Sequence, residues 1–148
     1  MRTHLLTLTV ALAGAFAGSA FAADGMSKDA YKAAKDKIEA QAKSDKKACE
    51  PLKDNAQDIC QAEAKSKEKI AKAELDAQNK PGPKADEHVR LMKAEGSYEV
   101  AKEKCEDQKG AAIESCKKDA RASYDKAKAE AQLATKGKSE KTMGAGKS

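Results

Sequence analysis

The chain has 148 residues, and its 29 Lys and Arg against 24 Asp and Glu leave a formal net charge of +5. The two signs alternate along the whole length, which is the pattern of solvated helix faces rather than of a basic stripe that tracks nucleic acid. With no Trp, only 2 Phe and a mean hydropathy of −0.79, there is too little large apolar surface to enclose a deep pocket, and this speaks against an enzyme.

Met1-Arg2-Thr3-His4 is a short, positively charged start. A largely apolar run, Leu5 to Ala17, follows it, and Ala20-Phe21-Ala22 supplies a small-x-small cleavage pattern ahead of Ala23. These features predict a secretory signal peptide over residues 1–22, cut between Ala22 and Ala23. The apolar run falls short of the ~20 residues that span a bilayer, so no membrane span is expected after cleavage. Lipoprotein processing is not expected either, because no cysteine follows until Cys49. The expected destination is the periplasm of a Gram-negative cell, with secretion as second choice. An exported chain with 4 cysteines is expected to be oxidised.

Residues 23–148 suffice for one domain. Their large aliphatic residues are sparse and widely spaced, from Ile38 and Leu52 to Ile113 and Leu133, so the core is expected to be thin and built mostly of alanine. Ala, Lys, Glu and Gln are strong helix formers and dominate from Ser27 to about Thr135, which makes the predicted class all-α. Helix one starts at Ser27, whose hydroxyl can accept the first orphan N–H groups, with Asp29 well placed for the helix dipole. Pro51 stops it. Asn55 is expected to cap helix two, with Asp58 in a capping-box-like position. The segment Asn79-Lys80-Pro81-Gly82-Pro83 is the strongest break in the chain, and Pro83 suits the first turn of helix three. Between Glu106 and Ser115 only Gly110 acts as a breaker, so a turn there and one unbroken helix both stay open. The stretch 136–148, with Gly137, Gly144 and Gly146 among lysines, is expected to be a disordered basic tail with at most weak contact to anionic surfaces.

Helical phase places single apolar stripes on these segments. Helix one carries Tyr31, Ala34, Ile38, Ala42, Asp45 and Cys49; helix three carries Leu91, Ala94, Tyr98, Ala101 and Cys105; helix four carries Ile113, Cys116, Ala120, Tyr124, Ala127, Ala131 and Ala134. Helix two is less clean, because Cys60, Ala64, Lys67, Ala71 and Leu75 includes a lysine. All cysteines fall on or beside these seams.

Cys49 and Cys60 share their spacing with Cys105 and Cys116, at an offset of 56. On an unbroken helix eleven residues rise about 16 Å, whereas a disulfide bridges Cα atoms no more than about 7 Å apart. Local pairing therefore requires a turn, which Pro51 and Asn55 supply for the first pair. Four cysteines permit three pairings. Cys49–Cys60 with Cys105–Cys116 is favoured, and inter-hairpin or intermolecular bonds are the alternatives. Closing a loop of this length contributes about 3 kcal/mol in the chain-entropy description. Beyond cysteine, the same offset aligns Glu39 with Glu95, Glu50 with Glu106, and Ala71-Lys72-Ala73-Glu74 with Ala127-Lys128-Ala129-Glu130. The expected architecture is thus two tandem helical hairpins, about 27–79 and 84–135, each stapled near its tip.

In these residues, most specifically Cys49 through Asn55-Ala56-Gln57-Asp58-Ile59-Cys60 into Glu63-Ala64-Lys65, the chain resembles small exported Ala/Lys/Glu-rich proteins of Gram-negative bacteria, some of them labelled TolA-like. The resemblance implies at most a helical envelope protein and carries no activity with it. The second copy departs from the pattern at Gly110-Ala111-Ala112-Ile113, which lacks the Asn and Asp.

No catalytic, cofactor or metal site is expected. Zinc ligands usually pair two to four residues apart, unlike these cysteines. His88 is the sole histidine after the leader and is expected on the surface, early in helix three. Cys-x-x-Cys is absent, and Tyr31, Tyr98 and Tyr124 are expected to fill seams. The expected role is structural or interactive, with an envelope protein or a second copy as partner and no nucleic acid. A hydrophilin-like, stress-protective polypeptide is the alternative.

Overall fold

The structure, a computed structural model, describes residues 25–144, with side chains through Gly137. The expected signal peptide and its cleavage point at Ala22 and Ala23 lie outside the described residues. Four helices account for most of the rest: α1 (Lys28–Ala48), α2 (Asp54–Asn79), α3 (Pro83–Cys105) and α4 (Ala111–Gly144). There is no strand among the described residues. Ser27 caps α1 as expected, accepting the Ala30 N–H at 3.2 Å, and Asp29 occupies the first turn. Pro83 opens α3 at a position where its missing N–H has no helical partner to lose.

Each disulfide closes within one hairpin: Cys49–Cys60 and Cys105–Cys116, both with Cα atoms 5.6 Å apart. The turn at Gly110 is therefore real, and the unbroken helix is excluded. The two turns open with equivalent bonds and differ further on, where Gln57 N–H donates to Lys53 O at 3.4 Å but its equivalent Ile113 N–H donates to Gly110 O at 3.3 Å. Glu50 N–H donates to Lys47 O at 3.1 Å and Leu52 N–H to Cys49 O at 3.1 Å; at the same offset, Glu106 N–H donates to Glu103 O at 3.0 Å and Gln108 N–H to Cys105 O at 3.0 Å. Asp54 and Gly110, also equivalent, both enter their helices with left-handed backbone, φ 51° and 58°.

This geometry corrects the expected cap. Lys53 holds the N-cap position of α2 and makes no side-chain cap bond. Asn55 reaches instead across to the other hairpin, donating through Nδ2 to Glu103 O at 2.8 Å and Asp107 Oδ1 at 2.7 Å. The capping-box pattern is present in sequence, but the left-handed residue at 54 rather than an N-cap side chain makes the turn.

Each helix packs only on its neighbours in sequence, α1 on α2, α2 on α3 and α3 on α4. The hairpins thus join through α2 and α3 into one antiparallel row, with both disulfides at the same end. Edge and centre differ accordingly. In α1 the residues shielded from solvent are Tyr31, Ala34, Ile38, Ala42 and Asp45, continuing to Cys49, which is the stripe expected from phase. Helix α2 has two partners and is shielded on two faces, which is why its single-stripe pattern is poor; Lys67 points out of both.

Among the described residues the buried ones are mostly small: Ala42, Ala64, Ala73, Ala94 and Ala131, with Leu75 as the one large aliphatic and Cys49 and Cys105 fully enclosed. Gly96 marks a close approach of α2 and α3. A Cβ placed there would run into Ser66 Oγ and lie 2.9 Å from Ser66 Cβ.

At the C-terminal end the expected disordered tail from Lys136 is helical through Gly144. At the offset of 56, Gly137 and Ser139 stand where Pro81 follows the end of α2 and Pro83 opens α3. A lone glycine costs only about 1 kcal/mol in a helix, whereas proline removes a hydrogen bond and clashes. The stripe also shifts near this point: Ala134 is exposed, and Thr135 is buried in its place, its hydroxyl near Ala131 O at 3.1 Å and Pro83 O at 3.4 Å.

Candidate interaction surfaces

The helical row exposes two broad faces, and what they carry differs between the hairpins. In hairpin one the α1/α2 seam is ionic. Glu68 accepts from Lys46 at 2.6 Å and Lys72 at 2.8 Å, and Lys72 also lies 3.5 Å from Glu39. The hydrogen bonds from Lys46 and Lys72 lower the Glu68 carboxyl to a pKa of about 2. Tyr31 donates its hydroxyl to Asp76, and this bond, with the carboxylate's charge and some burial, raises the phenol pKa.

In hairpin two the equivalent positions are aromatic. Tyr98 and Tyr124, which replace Ala42 and Glu68 at the offset of 56, stack with ring centroids 5.2 Å apart. Lys102 lies 4.9 Å and Arg121 5.9 Å from the centre of the Tyr98 ring, so cations flank the pair. The tyrosines are seam residues as expected, and Tyr31 in addition holds α1 to α2.

Across the centre, Lys69–Glu95 and Lys93–Glu74, each at 2.7 Å, tie α2 to α3. These exposed pairs fix orientation more than they stabilise, since each contributes about 0–1 kcal/mol. Their reading in sequence was blocked by the abundance of Lys and Glu, which offers many pairings of equal merit.

Three open grooves follow the helix junctions. The α1/α2 groove is walled by charge, chiefly Lys43, Lys46, Lys47, Lys65, Glu39 and Glu68. The α2/α3 groove lies over the Gly96–Ser66 contact. The α3/α4 groove, of about 510 Å³, is floored by Ala94, Ala127, Ala131 and Ala134 and bordered by Arg90 and Glu130. Arg90 Nε and Nη2 are buried without a hydrogen-bond partner. Neither Arg90 nor Gly96 was legible as a site: one is an arginine among many cations, the other a glycine in a helix with no turn signal.

His88 is exposed on α3. Among the described residues, no cluster of three or more His, Cys, Asp and Glu is placed to hold a metal ion, and no helix is long and apolar enough to cross a membrane. No protein-family model, curated protein or solved structure matches the chain.

Proposed function

We propose that this is an exported, non-enzymatic protein of the Gram-negative periplasm that acts as a helical scaffold, presenting charged helix faces and grooves to another envelope protein. The observation that carries the proposal is the pair of equivalent disulfides at one end of a row whose core is mostly alanine. Such staples suit an oxidising compartment and compensate for a core that buries little. The leader-like residues 1–22 and the likeness to small Ala/Lys/Glu-rich envelope proteins support the same compartment. Circular dichroism in dilute buffer with and without reductant tests the proposal. A cooperative helical melt that shifts down on reduction is expected. Little helix in dilute buffer, appearing only on drying or crowding, would identify a hydrophilin-like protein instead.

A further inference from the structure

Each staple joins cysteines that are consecutive in the chain. Cys49 pairs with Cys60 and Cys105 with Cys116, each at a separation of 11 residues, whereas the nearest mixed pair, Cys60 with Cys105, is 45 residues apart. Loop closure in an unfolded chain becomes less favourable roughly as the 3/2 power of loop length, so either native bond leads that closest competitor about eightfold. Once one native bond has formed, the two thiols left over are the other native pair.

The packing follows the same order. Helix α1 packs on α2 alone, and the first turn closes on local bonds, Glu50 N–H to Lys47 O and Leu52 N–H to Cys49 O. Hairpin one therefore has all its contacts once Asn79 has emerged, before Cys105 follows to compete for its thiols. Asn55, whose side chain bonds Glu103 O and Asp107 Oδ1 between the two tips, comes into use only when α3 arrives. After folding, Cys49 and Cys105 are fully enclosed, which shields one sulfur of each staple from attack by a free thiol.

We propose that the staples are supplied by a thiol oxidant of the exporting compartment, itself carrying a disulfide, that closes one hairpin at a time in order of emergence and with no isomerising step. The thiolate of the first cysteine attacks the oxidant's disulfide, forming a mixed disulfide and releasing one oxidant thiolate. The second cysteine then attacks the chain sulfur of that bond and releases the other. Two electrons and two protons pass from each cysteine pair to the oxidant, which leaves as a dithiol. This inference rests on the export proposed above.

The test dilutes the full chain, reduced and unfolded, into native buffer containing stoichiometric diamide and no free thiol, then alkylates it and maps linkages by nonreducing proteolysis and mass analysis. Native linkage in about 85% of chains or more is expected, the lower figure being what loop length alone gives. A parallel sample with a glutathione redox pair should reach the same yield. Mixed linkages in most chains, turning native only when glutathione is added, would overturn the proposal. In the full chain with Cys105→Ser and Cys116→Ser, the Cys49–Cys60 bond should close within twofold of its rate in the parent. In Cys60→Ser with Cys116→Ser, which leaves Cys49 and Cys105, closure should be about tenfold slower. Equal rates in these two variants would also overturn it. Circular dichroism of the oxidised product tests the scaffold reading separately: native linkage with little helix would contradict that reading and leave this one standing.

Discussion

Asp54 and Gly110 carry the same left-handed backbone with different side chains. Left-handed backbone costs an ordinary L-residue roughly 1–2 kcal/mol, less for Asp and nothing of that kind for Gly. Gly110→Ala should therefore lose about 1 kcal/mol in urea denaturation, while Asp54→Gly should lose little or gain up to about 1 kcal/mol. Opposite signs would mean that the turns are not equivalent. Gly96 has a steric role instead: Gly96→Ala puts a methyl group into Ser66 and should cost about 1–3 kcal/mol. Combining it with Ser66→Gly should recover part of the loss, and simple additivity of the two would contradict the close contact. Glu68 is the residue through which pH acts on the α1/α2 seam. Its folded pKa, about 2, lies below the unfolded value, so its contribution is present above about pH 4.3 and fades as pH falls toward 2. Lys46 and Lys72 are 44% and 37% exposed, and solvent screening holds that contribution to about 1 kcal/mol. The loss of stability between pH 5 and 2 should accordingly be smaller in Glu68→Gln than in the parent.

Among the elements, those with a positional signal were readable from sequence. Ser27, Pro51 and Pro83 mark ends because capping and the lack of an N–H act locally, and the α1 stripe is clean because an edge helix has one partner. Asn55 misled because its fit to a cap pattern says nothing of a neighbouring hairpin that competes for the side chain. The C-terminal extension of α4 was missed because glycine and lysine are compatible with both disorder and helix, and no proline decides between them. The staples are the elements on which stability should depend most. Replacing Cys49 and Cys60 by serine, or Cys105 and Cys116, should each cost about 3 kcal/mol by the loop-entropy argument. Equal losses in thermal or urea melts are expected, because the two loops have the same length and geometry. A loss under about 1 kcal/mol for either pair would show that packing, and not the staple, holds that tip.

At the scale of the molecule, what matters is that the row stays open. Both edge helices are basic: α1 holds seven Lys against four acids and α4 eight Lys and Arg against five, a net +3 each, while α2 holds four Lys against six acids. Val89, Leu91, Met92 and Val100 of α3 correspond to Ala33, Lys35, Asp36 and Ser44 on α1. The outer face of α1 is thus the polar counterpart of an interior helix, as in the terminal units of repeat proteins. Further copies are not expected to extend the row through that edge. An open row also leaves the groove beside Arg90 accessible, whereas a closed four-helix bundle would bring α1 against α4 and bury different faces. The distance between α1 and α4 decides between these arrangements. Spin labels on non-cysteine side chains introduced at the exposed positions Ala40 and Ala122 should lie more than about 20 Å apart, given helix spacings of 8–10 Å across the row. A separation near 10 Å in the oxidised protein would contradict the open row and the scaffold built on it.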